Sequence, residues 1–206
     1  MQPALPPLDP GIEIVLASQG MSKGLRQTSG PQLVARPSLR SGPFVLAGYL
    51  KNVTLDDADG EAGLSIGLQR GIAGFDLAAS IGGKINTAPA AGRDSTALEG
   101  AISVSRALGP VRARFGAVWS PDDLGGTRDS LFVEGGLGLR LGHGLILDGA
   151  LGRRMRRNGP EYTAYDVGLG LDLGRAVSVD LRWYDTDRAI DDTYRARLVA
   201  SVRLRF

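Results

Sequence analysis

The sequence predicts an all-β chain: an antiparallel up-and-down transmembrane β-barrel of about 12 strands with short periplasmic turns and longer extracellular loops. Three observations predict it. Apolar and polar residues alternate with period two in segment after segment, which puts them on opposite faces of a strand. Short glycine-marked turns and longer polar connections take turns between those segments, as an up-and-down barrel with both ends on one side requires. The polar face carries more ionised groups than a dry core could hold without full pairing.

Composition bounds the alternatives. The 206 residues include 30 Gly, 11 Pro and no Cys. Mean hydropathy is −0.03, and no stretch approaches the roughly 18 consecutive apolar residues of a spanning helix. A barrel escapes that test, because only alternate residues face lipid. Without Cys there are no disulfides or thiolate ligands. A net charge of +2, with no aromatic-interleaved basic run, argues against nucleic acid.

In chain order, residues 1–10 hold Pro3, Pro6, Pro7 and Pro10 and read as a flexible leader, with residues 11–206 as a single barrel domain. The leader has neither a basic n-region nor an apolar h-region, so any export signal is expected to be absent from this chain. Alternating segments follow at 11–25, 31–40, 43–52, 61–70, 74–83, 96–107, 111–120, 129–141, 144–154, 162–172, 176–185 and 194–206. The first ones are less regular, being interrupted by Gly20, Gly24 and Pro37, and Pro37 predicts a bulge or a locally unpaired position. The last is the clearest: Tyr194, Ala196, Leu198, Ala200, Val202, Leu204 and Phe206 share one face. Arg195, Arg197, Val199, Ser201, Arg203 and Arg205 share the other.

Short turns are expected at Ser41-Gly42-Pro43, Gly71 to Gly74, Leu108-Gly109-Pro110, Gly142-His143-Gly144 and Leu173-Gly174-Arg175. Longer connections are expected near 26–30, 53–60, 84–95, 121–128, 155–161 and 186–193. Aromatic residues fall at strand ends, with Tyr49, Trp119, Tyr165, Trp183 and Tyr194 beside the long loops. Phe44, Phe75 and Phe206 fall beside the short turns. Two belts at opposite ends match interfacial girdles.

The polar face supplies the candidate pore lining: Arg112, Arg114, Glu134, Arg140, Asp148, Asp166, Asp180, Arg182, Arg195, Arg197 and Arg203. With the Leu173-Gly174-Arg175 turn centred on Gly174, Asp166 is expected directly opposite Arg182. The surplus of arginines points to a preference for anionic solutes, against the plainer reading that all charges neutralise one another or wrap a plug. Acidic loop residues (Asp56, Asp57, Asp59 and Glu61; Asp122 and Asp123; Asp185, Asp187, Asp191 and Asp192) lack the spacing of a calcium loop and read as solvated. The Arg153 to Arg157 cluster reads as a rim that meets water or lipid phosphates. Catalysis finds no support, because the lone His143 sits in a turn between two glycines rather than beside a nucleophile. No catalytic residue, metal ligand or cofactor is expected.

Residues at the two ends also resemble a known family. Ala17-Ser-Gln-Gly-Met-Ser-Lys-Gly-Leu-Arg-Gln-Thr28 with Gly30-Pro31, the Phe44 to Val53 strand ending Lys-Asn-Val, and the 162–187 segment YTAYDVGLGLDLGRAVSVDLRWYDTD resemble stretches of the TorF-family porins. Val34-Ala35-Arg36 replaces that family's Gln-Gly-Gly, and the middle strands are Leu/Ala/Gly-rich where the family has Tyr and Trp. The terminal Phe206, with apolar residues at every second position before it, resembles the closing signature of bacterial outer-membrane proteins. The resemblance implies a bacterial outer-membrane location, contact with membrane lipid and lipopolysaccharide, and handling by the barrel-assembly machinery; the oligomeric state is left open, with a monomer favoured. The function expected is passive diffusion of small polar solutes. A closed or plugged barrel acting as a structural anchor or docking subunit is the rival, and a soluble lipocalin-like carrier is a third reading.

Overall fold

The computed structural model describes residues 6–54, 58–88, 94–124 and 127–206. Twelve strands close into one antiparallel barrel: β1 (Leu8–Ala17), β4 (Gln32–Ser41), β5 (Phe44–Asn52), β6 (Gly60–Ile72), β7 (Phe75–Thr87), β8 (Thr96–Leu108), β9 (Val111–Asp123), β10 (Arg128–Gly142), β11 (Leu145–Arg156), β12 (Tyr162–Asp172), β13 (Val177–Thr186) and β14 (Arg197–Arg205). Each pairs with its sequence neighbours, and β1 with β14 makes the seam. A separate two-residue-per-strand hairpin, β2 (Met21–Ser22) with β3 (Leu25–Arg26), lies off the barrel wall.

The alternation sets the faces as expected. Ile66, Ile102, Phe115, Leu137, Leu151, Leu169 and Leu198 are all exposed on the outside. An exterior this apolar is stable only against hydrocarbon. Five short connections, at 42–43, 73–74, 109–110, 143–144 and 173–176, alternate with six longer ones. In two of the turns, Ala73-Gly74 and His143-Gly144, both central residues have positive φ, the geometry that follows strand twist. His143 is therefore a turn residue.

Several boundaries differ from the sequence reading. β1 begins at Leu8, so Pro10 lies in a strand rather than in the leader. Ile12 directs its N–H to Phe206 O (3.2 Å), and Pro10, two residues earlier on the same side of the strand, turns its donor-free nitrogen away from the β4 ladder, in which it pairs with Leu39. Pro37 likewise marks a lapse: the β4–β5 ladder pairs Ala35 with Leu50 and Ser38 with Ala47 and skips the two positions between, with the register kept. β7 and β9 run on to Thr87 and Asp123, into segments expected to be loop. The β12–β13 register is also two residues from the expected one, since Arg182 faces Gly168 and Asp166 faces Tyr184. Asp56 and Asp57 lie outside the described residues.

Candidate functional site: the charged lumen

β1 ends at Ala17 instead of continuing to residue 25, and the chain from 18 to 31 turns into the barrel. Period two alone cannot tell a strand that stays in the wall from one that leaves it and pairs with itself. The turn of the β2–β3 hairpin is Lys23-Gly24, both at positive φ (51° and 81°). A Thr28 clasp holds its neck: the buried Oγ1 accepts from Gly20 N (2.7 Å) and donates to Gly30 O (2.5 Å), while Gln27 N donates to Gly20 O (2.7 Å). Leu25 then buries against Tyr162, Ala164 and Tyr194.

The hairpin divides the lumen into two chambers. The outer one, on the long-connection side, has a volume of about 440 Å³. Its wall joins Lys23 to Glu99 (2.7 Å), Lys84 to Glu99 (2.9 Å) and to Asp123 (2.7 Å), and Lys51 to Glu61 (3.1 Å). Arg154 is buried against Asp123 and Ser130, and Arg156 lies over the Tyr162 ring at 5.1 Å. Burial, together with the nearby Arg154 and Lys84 charges, pushes the Lys23 amine down to about 8, against the pull of Glu99 and Asp123. In the connection before β14, bonding to Arg197 holds Asp192 below the usual carboxylate range.

The inner chamber, about 740 Å³, is lined by nine of the predicted residues: Arg112, Arg114, Glu134, Arg140, Asp148, Asp166, Asp180, Arg182 and Arg203. Arg182 sits at the centre of one cluster, bonded to Asp148 and Asp166 and 3.1 Å from Asp180. Its guanidinium occupies the space a Cβ at Gly168 would need, at 2.8 Å, so the glycine opposite it is what admits the side chain. Arg114 joins the same cluster through Asp148 (3.1 Å), and Arg112 pairs with Asp76 (3.2 Å). Across the seam the balance reverses: Glu13 alone meets Arg36 (2.8 Å), Arg203 (3.4 Å) and Arg205 (3.4 Å). Arg140 has no ion pair among the described residues. The chamber lining holds seven arginines and Lys23 against five carboxylates, with Glu13, Asp76 and Glu99 pairing to Arg36, Arg112 and Lys23 from beside it, so the surplus is local, at Glu13, where one carboxylate meets three arginines.

Three expected placements are corrected. Tyr49 faces inward, where its hydroxyl donates to Glu61 (2.5 Å), because it shares the Val45/Ala47/Lys51 face rather than the Phe44/Leu46/Leu50 one. Tyr194 lies in a 3-10 turn (Asp192–Tyr194) and packs edge-on against Tyr162 at 5.4 Å; it is interior and not part of a girdle. Arg195 caps that turn in an exposed position outside β14, so it does not line the lumen. Arg197 is interior, with Gln19 at 3.5 Å and the Asp192 carbonyl as partners. The remaining aromatics take their expected outward positions: Trp119, Trp183, Phe44, Phe75 and Phe206 are exposed, and Tyr165 packs on Trp183 at 5.7 Å. The Arg153 to Arg157 run is split by the strand, Arg154 and Arg156 inward and Arg153 outward to Glu161 (2.8 Å). Sequence reasoning missed Lys23, Lys84 and Glu13 as lumen groups. Lys84 and Lys23 were hidden by boundaries, and Glu13 by a strand whose pattern the glycines blur.

No protein-family profile and no curated protein matches the chain. Solved structures do. A KdgM porin superposes with a TM-score of 0.68 at 9% identity, covering 95% of this chain and 99% of its own. A KdgM porin in complex with disordered oligogalacturonate gives 0.69 at 8%, with the same coverage. A NanC porin gives 0.60 at 8%, covering 94% of this chain and 97% of its own. At such identities the likeness establishes the fold, a closed porin-type barrel of the same size.

Proposed function

We propose that this protein is a channel of the bacterial outer membrane through which small polar solutes, anions preferentially, diffuse passively. The observation that carries the reading is the inversion of the molecule, apolar outside and charged within, with a cation surplus concentrated where Glu13 faces three arginines. The inner chamber residues from Arg112 to Arg203 then act as the pore lining, stabilising an entering anion without binding it tightly enough to stall it. Such a channel does no covalent chemistry. The short turns face the periplasm and the long connections the outside, with the aromatic belts at the two interfaces and lipopolysaccharide around the outer one. The resemblance of both chain ends to the TorF-family porins supports the reading, and the C-terminal Phe206 supports delivery by the barrel-assembly machinery. The KdgM porin in complex with disordered oligogalacturonate makes acidic oligosaccharides natural first solutes to try.

The hairpin inside the lumen favours one rival, a barrel closed by its own first connection. Planar-bilayer recording separates the two. The channel reading expects discrete conductance steps and a reversal potential shifted toward that of chloride in a KCl gradient. A silent, correctly folded, heat-modifiable barrel would overturn it and leave the fold untouched.

A further inference from the structure

The two chambers share four lining residues: Ser22 and Lys23 from the hairpin, and Val34 and Arg36 from the facing wall of β4. They mark where the two chambers meet. The hairpin is tied to the wall at both sides of its tip. Tyr162 of β12 donates its hydroxyl to Lys23 O at 2.7 Å, and Lys23 Nζ reaches Glu99 of β8 at 2.7 Å. These two strands stand on different sides of the barrel, separated by β9, β10 and β11. Gly24 lies so close to β12 that a Cβ on it would stand 2.2 Å from Ala164 Cβ. At the neck, Lys51 Nζ donates to Gln27 Oε1 (2.5 Å), and Thr54 N to Gln27 O (2.7 Å).

Resting on the channel reading above, we propose that the β2–β3 hairpin is the permeability barrier of this barrel and that Lys23, which lines both chambers together with Arg36, is its specificity-determining residue. A loop held by a buried clasp, a hydroxyl bond and an ion pair stays in place while solutes move past it, so it acts as a fixed filter rather than a lid. Both charges at the passage are cationic. Glu13 offsets Arg36 at 2.8 Å, and Lys23 shares its one carboxylate, Glu99, with Lys84. An anion therefore gains at the narrow point while a cation is repelled, and the effect is strongest where the passage confines field lines between low-dielectric walls.

The test uses the full chain refolded into planar bilayers and liposomes, with heat-modifiable migration confirming the barrel of every variant. Because Gln27 N already donates to Gly20 O, Met21–Arg26 can be replaced by a two-residue Asn-Gly turn without disturbing the Thr28 clasp. That trimmed protein is expected to conduct about twofold or more above the wild type and to admit larger solutes in liposome swelling. Lys23→Glu is expected to lower the chloride-to-potassium permeability ratio by about threefold or more, and Lys23→Met by less. If trimming leaves both conductance and exclusion limit unchanged while the wild type conducts, the inference fails and the channel reading stands. An unchanged ratio in Lys23→Glu overturns the role of Lys23. A silent wild type beside a conducting trimmed protein supports the barrier and ends the open-channel reading. Silence from both overturns the barrier as well.

Discussion

Arg182 shows what a wet interior asks of a side chain. It is bonded to Asp148 and Asp166, lies within 3.1 Å of Asp180, and is mostly shielded from solvent. Removing it leaves three carboxylates facing one another. Arg182→Met is expected to destabilise the barrel by about 3–5 kcal/mol, read as a lower urea midpoint in refolded liposomes, because a buried charge cluster loses its centre. Arg182→Lys should recover only part of that, since a point charge cannot fork across the cluster. Lys23 makes a pH-dependent case. Its folded value near 8 lies below the ordinary lysine value of 10.5, so its burial penalty is present in full below pH 8 and is relieved as pH rises from there. The groups facing it are Glu99, Asp123, Lys84 and Arg154. As the amine discharges, anion preference should fall between pH 7 and pH 9, a shift in reversal potential that Lys23→Met should lack. At this scale the sequence was legible where alternation is unbroken: the interior series from Arg112 to Arg182 all face inward. It misled at Tyr49, where parity with Lys51 outweighs position at a strand end, and at Tyr194, which lies in a 3-10 turn ahead of β14.

Strands are where the sequence is most informative, because a single parity error would turn a whole strand inside out. The face assignment is therefore checkable by paired substitutions. Leu137 is 62% exposed on the outer face of β10, and Leu137→Arg should cost about 2–4 kcal/mol in bilayers. Ser103 of β8 lies on the opposite parity from the lipid-facing Ile102, and Ser103→Lys should fold with little penalty. Equal penalties at the two sites, measured by urea titration of the refolded proteins, would contradict the assignment. Connections were less legible. The strong hairpin signal is Asn-Gly or Asp-Gly, and Lys23-Gly24 carries only its glycine half, so the inward turn looked like a disturbed continuation of the first strand. The arginine cluster 153–157 was misread for the related reason that a strand end sorts neighbours to opposite sides, which a loop does not. Two strand extensions, to Thr87 and Asp123, were missed because polar residues at the lumen face look like the start of a loop.

For the whole molecule, strand count, order and closure followed from counting alternations and from the rhythm of short and long connections. The seam adds what no pattern along the chain could give. Glu13 pairs in register with Arg205 and joins Arg36 on one side to Arg203 and Arg205 on the other, so charges from both ends of the sequence meet at one place. The surplus of cations in the lumen follows from that meeting rather than from any local basic run. The hairpin is joined to the same late-arriving part of the chain. Leu25 and the Lys23 carbonyl, written near the start, rest on Tyr162, Ala164 and Tyr194, written near the end. The seat of the first connection is therefore complete only once strands from both ends of the chain stand side by side, and its settling would mark the moment the cylinder closes.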